Sequence, residues 1–122
     1  MPKILIIDDS PTDIHVVSKM LSKHGFETLS AENAEDGIEL AKAHKPDVVL
    51  MDVVMPGMNG FQATRSLSRD AETANIPVII LTTKNMETDR MWGMRQGAKE
   101  YLVKPPVERE LITKVKALIG QT

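Results

Sequence analysis

Three short apolar segments constrain what this chain can fold into more than any other feature of its sequence. They are residues 4–7, 48–51 and 77–81, and they consist almost entirely of Ile, Val, Leu and Met. Apolar residues that follow one another without alternation, in runs of this length, are typical of β-strands buried on both faces. The chain therefore predicts a sheet that is covered on both sides, and the covering layers have to come from the intervening segments.

The segments that follow these strands carry the signals of helices. In the first of them, Ser10 is a favourable N-cap, Pro11 suits the first helical position, and Asp13 complements the positive end of the helix dipole. Two further segments, residues 26–30 and 101–103, have the composition of shorter strands. The predicted helices comprise residues 11–23, a segment capped by Asn33, and residues 61–69, 87–96 and 107–119.

Five strands, each followed by a helix, predict an α/β fold with a parallel sheet and helices on both faces. In the flavodoxin-like (βα)5 version of this three-layer sandwich, the parallel sheet has the strand order 2-1-3-4-5. That order places the first and third strands side by side. We therefore expect the residues that follow these two strands to lie close together at one edge of the sheet.

Composition narrows the classes of function. The 122 residues include 15 basic and 17 acidic side chains, with no basic patch of the kind that nucleic-acid binding needs. The absence of cysteine excludes disulfides and thiolate metal sites, and no apolar stretch approaches the roughly 20 residues of a membrane span. We expect a cytoplasmic monomer that binds neither nucleic acid nor membrane, folded as one domain over residues 1–122 without an output domain.

Polar residues that could take part in binding or catalysis lie at the ends of four predicted strands. The first strand ends in Asp8 and Asp9, the third in Asp52, the fourth in Thr82 and the fifth in Lys104. In open α/β sheets, ligands bind beyond the carboxyl ends of the strands, at the point where the strand order reverses. The sequence therefore predicts one pocket that contains these five side chains.

Three carboxylates in one pocket need a compensating charge. Two unit charges about 4 Å apart repel by roughly 4 kcal/mol at an effective dielectric constant of about 20. Oxygen ligands without His or Cys favour Mg²⁺, which keeps several waters and binds readily to phosphate oxygens. An aspartate can act as a nucleophile and form an aspartyl phosphate, with Lys104 and Thr82 available to bind phosphoryl oxygens. The pocket therefore indicates phosphoryl chemistry.

The complete set of strand-end residues, in this order and spacing, resembles the receiver domains of bacterial response regulators. The resemblance covers the whole chain and rests on Asp8-Asp9, residues 51–60, Thr82 and Lys104-Pro105. Within that family the chain is similar to single-domain receivers of the chemotaxis type. Among these it resembles the receivers of pilus-based twitching motility, on residues 60–65, 70–73, 92–93 and 95–98.

The resemblance implies a signalling function and a magnesium site. Asp52 would be the phosphoacceptor, with a chemotaxis-type histidine kinase as the donor and a downstream protein as the target. Asp9 and Asp52 would bind Mg²⁺ directly, the main-chain carbonyl of Val54 would be a third ligand, and Asp8 would act mainly through water. The protein would operate in a chemotaxis-like or twitching-motility pathway.

The same resemblance implies a switch. Thr82 would move to the phosphoryl group, Tyr101 would turn inward, and Lys104 would pair with the phosphoryl group. The peptide bond between Lys104 and Pro105 would be cis. The family's receivers commonly signal through their fourth helix, last strand and last helix, which places a partner surface on parts of residues 87–96, 101–103 and 107–119.

Two other classes share parts of this pattern. A phosphatase of the haloacid-dehalogenase type also forms an aspartyl phosphate, but it needs a second acid two residues after the nucleophile, where this chain has Val54. A flavodoxin binds FMN at this edge, but Asp8 and Asp9 would repel the FMN phosphate. We therefore expect a phosphoacceptor that assists its own phosphorylation and dephosphorylation rather than an enzyme with an external substrate. The residues are compatible with two outputs: contact with a downstream protein, or action as a phosphate sink that drains a shared kinase.

Two residues depart from the usual receiver pattern. Thr83 stands where receivers usually carry a smaller residue, which would narrow access to the site. Pro106 follows Pro105, where many receivers have an apolar side chain, and would stiffen the last loop. Outside the site, the helical spacing of Met91 and Met94 predicts core positions on the fourth helix.

Overall fold

The computed structural model describes residues 1–120, which form five strands alternating with five helices. The strands are β1 (Lys3–Ile7), β2 (Glu27–Ala31), β3 (Val48–Met51), β4 (Val78–Thr82) and β5 (Glu100–Val103). The helices are α1 (Pro11–Ser22), α2 (Ala34–His44), α3 (Gly60–Arg69), α4 (Glu87–Arg95) and α5 (Glu108–Leu118). The predicted boundaries agree with these to within one residue. Gln121 and Thr122, which the predicted domain includes, lie outside the described residues.

All five strands are parallel and have the order β2-β1-β3-β4-β5, which confirms the predicted flavodoxin-like topology. The register pairs Ile7 of β1 with Met51 of β3, so the next residue of each strand emerges at the same level. On the other side, Thr82 of β4 pairs with Val103 of β5. The register therefore brings the strand-end residues to one edge of the sheet.

Two apolar cores lie on opposite faces of the sheet, and alternate residues of β1 divide between them. Leu5 and Ile7 belong to the core that packs under α2 and α3, whereas Ile4 and Ile6 belong to the core under α1 and α5. All four side chains are at most 2% exposed, as expected for a strand buried on both faces. The fold is thus a three-layer sandwich with the strand ends left open at one rim.

Polar side chains cap three of the helices that begin at this rim, α1, α2 and α3. Ser10 accepts a hydrogen bond from the N–H of Asp13 at 3.2 Å, as the N-cap of α1. Asn59 and Gln62 form a capping box at the start of α3, with hydrogen bonds of 3.0 and 2.9 Å. These caps determine where each helix begins relative to the strand that precedes it.

The prediction that Met91 and Met94 are core residues is wrong. Their exposed fractions are 56% and 38%, and the residue of α4 that is buried against the sheet is Gly93. A Cβ at Gly93 would lie 2.7 Å from Cδ1 of Ile80 and 3.1 Å from the ring of Tyr101. Helix α4 therefore approaches the sheet through a residue without a side chain, and its methionines face outward. Within residues 1–120 no helix is long and apolar enough to span a membrane.

Candidate functional site

Three carboxylates meet at the open edge between β1 and β3. One ligand oxygen from each of Asp8, Asp9 and Asp52 lies within 4.8 Å of the others. Asp8 and Asp52 are only 4% and 6% exposed, whereas Asp9 is exposed to solvent. Main-chain donors orient the two buried carboxylates, since the N–H of Ser10 donates to Asp8 and that of Val53 donates to Asp52, both at 2.9 Å.

The side chain of Lys104 lies over this cluster from the end of β5 and is only 10% exposed. Its Nζ donates to Oδ2 of Asp8 and to Oδ2 of Asp13, both at 2.7 Å, and lies 3.7 Å from Oδ2 of Asp52. Burial alone would lower the pKa of Lys104, but the hydrogen bonds to Asp13 and Asp8 outweigh burial and raise the pKa above its usual value. Lys104 is therefore a fixed positive charge at neutral pH. The peptide bond that follows it is cis, as expected.

Burial and charge act in opposite directions on Asp52. Loss of solvent raises the pKa of its carboxyl above the usual range, the charge of Lys104 opposes that shift, and the neighbouring charge of Asp8 adds to it. The net direction is upward. The ionised carboxylate of Asp52 is therefore a stronger base than that of a solvated aspartate.

The charge balance of the cluster fits a divalent cation. Asp8, Asp9 and Asp52 carry three negative charges when ionised, and Lys104, which also pairs with Asp13, compensates only part of this charge. All three carboxylates are hard oxygen ligands, which Mg²⁺ and Ca²⁺ prefer over softer nitrogen and sulfur donors. A divalent cation would neutralise two of the remaining negative charges. The residues present therefore fit the metal that the acidic cluster was predicted to hold.

The first turn of α3 packs directly against the main chain of Asp52. A Cβ at Gly60 would overlap the carbonyl oxygen of Asp52 and would lie 2.7 Å from Cα of Val53. The N–H of Gly60 also donates to the carbonyl oxygen of Val53 at 3.0 Å. The loop that contains the exposed Val54 is thus closed at both ends by α3 and β3, which restricts the backbone position of Asp52.

Thr82 and Tyr101 lie beside the cluster on β4 and β5 and are buried. The Tyr101 hydroxyl donates to the carbonyl oxygen of Lys84 at 2.9 Å, so the ring points into the molecule beneath the β4–α4 loop. Burial, assisted by the charges of Asp89 and Asp52, raises the pKa of Tyr101 to about 12. The hydroxyl therefore keeps its proton at every physiological pH and remains a hydrogen-bond donor.

The family profile of the response regulator receiver domain matches residues 4–116, which include every residue of this site. The chain belongs to the response regulator receiver family. Members of this family are phosphoacceptor switches of two-component signalling.

Individual relatives of this receiver include single-domain and longer proteins. It is 59% identical over 120 residues to Protein PilH of Pseudomonas aeruginosa, which covers 98% of this chain and 99% of PilH. The phosphate regulon transcriptional regulatory protein PhoB of the same organism is 37% identical over 119 residues, which are 98% of this chain but 52% of PhoB. Among solved structures, chemotaxis protein CheY4 of Vibrio cholerae matches with a TM-score of 0.90 at 29% identity, over 97% of this receiver and 98% of CheY4.

One residue of the receiver site was not predicted from the sequence. Asp13 stands in the first turn of α1, where an acidic residue is explained by the helix dipole alone, so nothing in the sequence indicates its contact with Lys104. Asp13 and Lys104 border a cleft of about 360 Å³ beside the carboxylate cluster. Thr83 and Pro106, the two departures from the receiver pattern, also line this cleft. The other lining residues are the apolar Val16, Val17 and Pro105.

Proposed function

We propose that this receiver is a switch that accepts a phosphoryl group on Asp52 from a histidine kinase, with Mg²⁺ bound beside it. The observation that carries the proposal is the grouping of Asp52 with an acidic pair and a buried ammonium group. Its carboxylate is grouped with those of Asp8 and Asp9, and Lys104 Nζ lies 3.7 Å from it. A nucleophile beside both a cation site and a fixed positive charge meets the electrostatic demand of phosphoryl transfer.

In the transfer step, a carboxylate oxygen of Asp52 attacks the phosphorus of the donor phosphohistidine. The bond between phosphorus and the imidazole nitrogen breaks, and its electron pair remains on the nitrogen. The metal would be held by Asp9, Asp52 and the main-chain carbonyl of Val54, with Asp8 acting through water. When bound, it supplies positive charge that offsets the charge on the phosphoryl oxygens.

After transfer, the new phosphoryl group carries more negative charge than the carboxylate it replaces and offers three acceptor oxygens. Lys104 would pair with one oxygen and the Thr82 hydroxyl would donate to another. Movement of Thr82 would be coupled to the inward position of Tyr101. The receiver assists its own phosphorylation and dephosphorylation, which makes it a phosphoacceptor rather than an enzyme with an external substrate.

For its output, we assign the receiver to a chemotaxis-like pathway that controls twitching motility, on the basis of its 59% identity to PilH. Residues 1–122 would form one domain that acts through a downstream protein or as a phosphate sink for a shared kinase. The contact surface would be the output face, which we define as the exposed side of α4, β5 and α5. Its apolar residues include Met91, Met94, Val103 and Val107.

Incubation with Mg²⁺ and acetyl phosphate, followed by measurement of the intact mass, tests the phosphoacceptor assignment. We expect one added phosphoryl group in the natural protein, because the small donor reaches the open edge of the sheet without a kinase. Asp52→Asn lacks the nucleophile and should gain none, and excess EDTA should abolish the adduct in the natural protein.

Beryllofluoride provides the control for a short-lived phosphate, since it forms a stable mimic of an aspartyl phosphate without group transfer. A protein that neither gains mass nor binds beryllofluoride with Mg²⁺ would contradict the proposal. An adduct that persists in Asp52→Asn would place the phosphoryl group on another residue.

A further inference from the structure

Lys104 has an anionic partner that the proposed phosphoryl chemistry does not use. Of the three carboxylates around its ammonium group, Asp8 and Asp52 belong to the acidic cluster, whereas Asp13 comes from α1. The hydrogen bond from Lys104 Nζ to Asp13 Oδ2 is 2.7 Å long, a full ångström shorter than the approach to Asp52. At 3.7 Å, Nζ and the Asp52 carboxylate are an ion pair but are not hydrogen-bonded.

The position of Asp13 is determined by its own helix. It is the third residue of α1, and its N–H donates to the side chain of the N-cap Ser10 at 3.2 Å. Lys104 follows β5, so the ion pair joins α1 to the loop after the last strand, and both residues line the cleft. The Asp13 side chain is 42% exposed, compared with 10% for Lys104. The position of the Asp13 carboxylate is therefore set by α1, and the carboxylate is partly exposed to solvent. The buried ammonium group of Lys104 extends to it.

This contact opposes the binding of an anion at Asp52 in two ways. The hydrogen bond directs the ammonium group toward α1, away from the place where phosphoryl oxygens would form. The charge of Asp13 also cancels part of the positive potential that an incoming anion would meet at Lys104. If the Asp13 side chain becomes neutral, its opposing charge is lost and only a weaker hydrogen bond to an uncharged acceptor can hold the ammonium group, while Asp8, Asp9, Asp52 and Lys104 all remain.

We propose that Asp13 is a positioning residue that holds Lys104 in a resting place and thereby weakens the affinity of the site for the phosphoryl group. This inference rests on the proposed function, because it concerns the anion that the site is proposed to bind. Asp13 would set how readily the receiver is phosphorylated. The loss of its charge favours the phosphorylated state.

The matched control is Asp36, which occupies the same position in α2 that Asp13 occupies in α1. It is also the third residue of its helix, and its N–H is bound by the N-cap Asn33 at 2.8 Å. Its carboxylate, however, accepts a hydrogen bond from Asn33 at 2.9 Å instead of binding Lys104. Asp36→Asn therefore removes the same charge and the same helix-dipole interaction without touching the ion pair.

The test is calorimetric titration of beryllofluoride into the protein at saturating Mg²⁺. We expect Asp13→Asn to bind about two- to fivefold more tightly than the natural protein, the range that a partly exposed ion pair allows. Asp36→Asn should bind as the natural protein does, and Asp13→Glu, which keeps the charge, should as well. The gain from Asp13→Asn should shrink at about 1 M salt, where the Debye length is only about 3 Å.

The outcomes separate the two proposals. Unchanged or weaker binding by Asp13→Asn would overturn the inference while leaving the proposed function intact, provided that the natural protein binds beryllofluoride. A gain in Asp36→Asn equal to that in Asp13→Asn would also overturn it, because the effect would then be one of net charge. Failure of the natural protein to bind beryllofluoride would overturn the inference, and it would overturn the proposed function as well if acetyl phosphate also added no mass.

Discussion

At the residue scale, Asp52 shows why a reactive carboxylate is costly to build. It is 6% exposed and grouped with two other carboxylates, and its pKa is raised mainly by burial. The proposed chemistry needs the ionised form, which is the form that burial disfavours. Lys104 offsets part of this cost but divides its two hydrogen bonds between Asp8 and Asp13. The negative charges of the site therefore destabilise the folded state, and a bound cation would reduce their repulsion.

A first prediction follows for Asp52→Asn in the absence of metal. The folded state binds the Asp52 proton more tightly than the unfolded chain does, so ionisation of Asp52 lowers the free energy of unfolding at neutral pH. We expect the variant to be more stable than the natural protein by about 1 kcal/mol at pH 7, because the neutral side chain avoids the cost of burying a charge and the repulsion from Asp8, while Lys104 keeps Asp8 and Asp13 as partners. Urea unfolding in EDTA, followed by circular dichroism, measures the difference.

The sign of the pH dependence makes this prediction specific. Above the folded-state pKa of Asp52, ionisation lowers the free energy of unfolding by its full amount. This loss of stability disappears as the pH falls from that value through the unfolded-state pKa. The advantage of Asp52→Asn should therefore shrink as the solution is acidified. Equal stability at pH 7, or an advantage that grows toward acid, would show that Lys104 compensates the charge of Asp52 in full.

At the element scale, most of the fold and part of the site follow from patterns in the sequence. The strand-end positions of Asp8, Asp52 and Thr82 could be predicted because the three strands that lead to them are continuous apolar runs with clear ends. The orientation of α4 could not, because its buried residue is Gly93 and a glycine leaves no mark in a hydrophobic pattern. The contact between Asp13 and Lys104 could not either, because it depends on the packing of α1 against a loop 91 positions away.

A second prediction concerns the start of α3. Gly60→Ala would place a methyl group against the carbonyl oxygen of Asp52, and main-chain atoms cannot rotate aside as a side chain does. We expect a loss of about 3 kcal/mol in the free energy of unfolding, at the upper end of the usual cost of overpacking. Phosphorylation by acetyl phosphate should also slow, because Asp52 has to move with its main chain. Urea unfolding and the rate of mass gain measure the two effects.

Gly25→Ala is the control for this prediction. Gly25 has a φ of +84° but no atom within 4 Å of a Cβ, so alanine there costs only backbone strain, about 1–2 kcal/mol. Its phosphorylation rate should match that of the natural protein, since Gly25 lies at the opposite end of α1 from the site. A Gly60→Ala variant no less stable than Gly25→Ala would mean that α3 can shift away from β3 for no more than the cost of backbone strain at Gly25.

At the scale of the whole molecule, the site and the proposed output face are joined by a continuous series of contacts. The N–H of Lys84 lies 3.5 Å from Oγ1 of Thr82, and the carbonyl oxygen of Lys84 accepts the hydrogen bond of Tyr101 at 2.9 Å. From α4, Arg90 donates to the main-chain carbonyl of Tyr101 at 3.3 Å. Thr82, which would bind the phosphoryl group, is thus three contacts from the helix that carries the exposed methionines.

A third prediction tests whether these contacts transmit the signal. Beryllofluoride with Mg²⁺ should shift the amide resonances of α4 and β5 as well as those of the strand ends, because we expect anion binding at Thr82 to displace the Lys84 loop, which contacts Tyr101. Tyr101→Phe keeps the ring but removes the 2.9 Å hydrogen bond to Lys84. We expect this variant to bind beryllofluoride within about twofold of the natural protein, since one neutral hydrogen bond outside the anion site contributes little to affinity. The shifts along α4 should nevertheless be much smaller.

Nitrogen–proton correlation spectra of both proteins, with and without beryllofluoride, give the comparison. Shifts confined to the strand ends in the natural protein, or α4 shifts of equal size in Tyr101→Phe, would show that the Tyr101 hydroxyl does not connect the site to the output face.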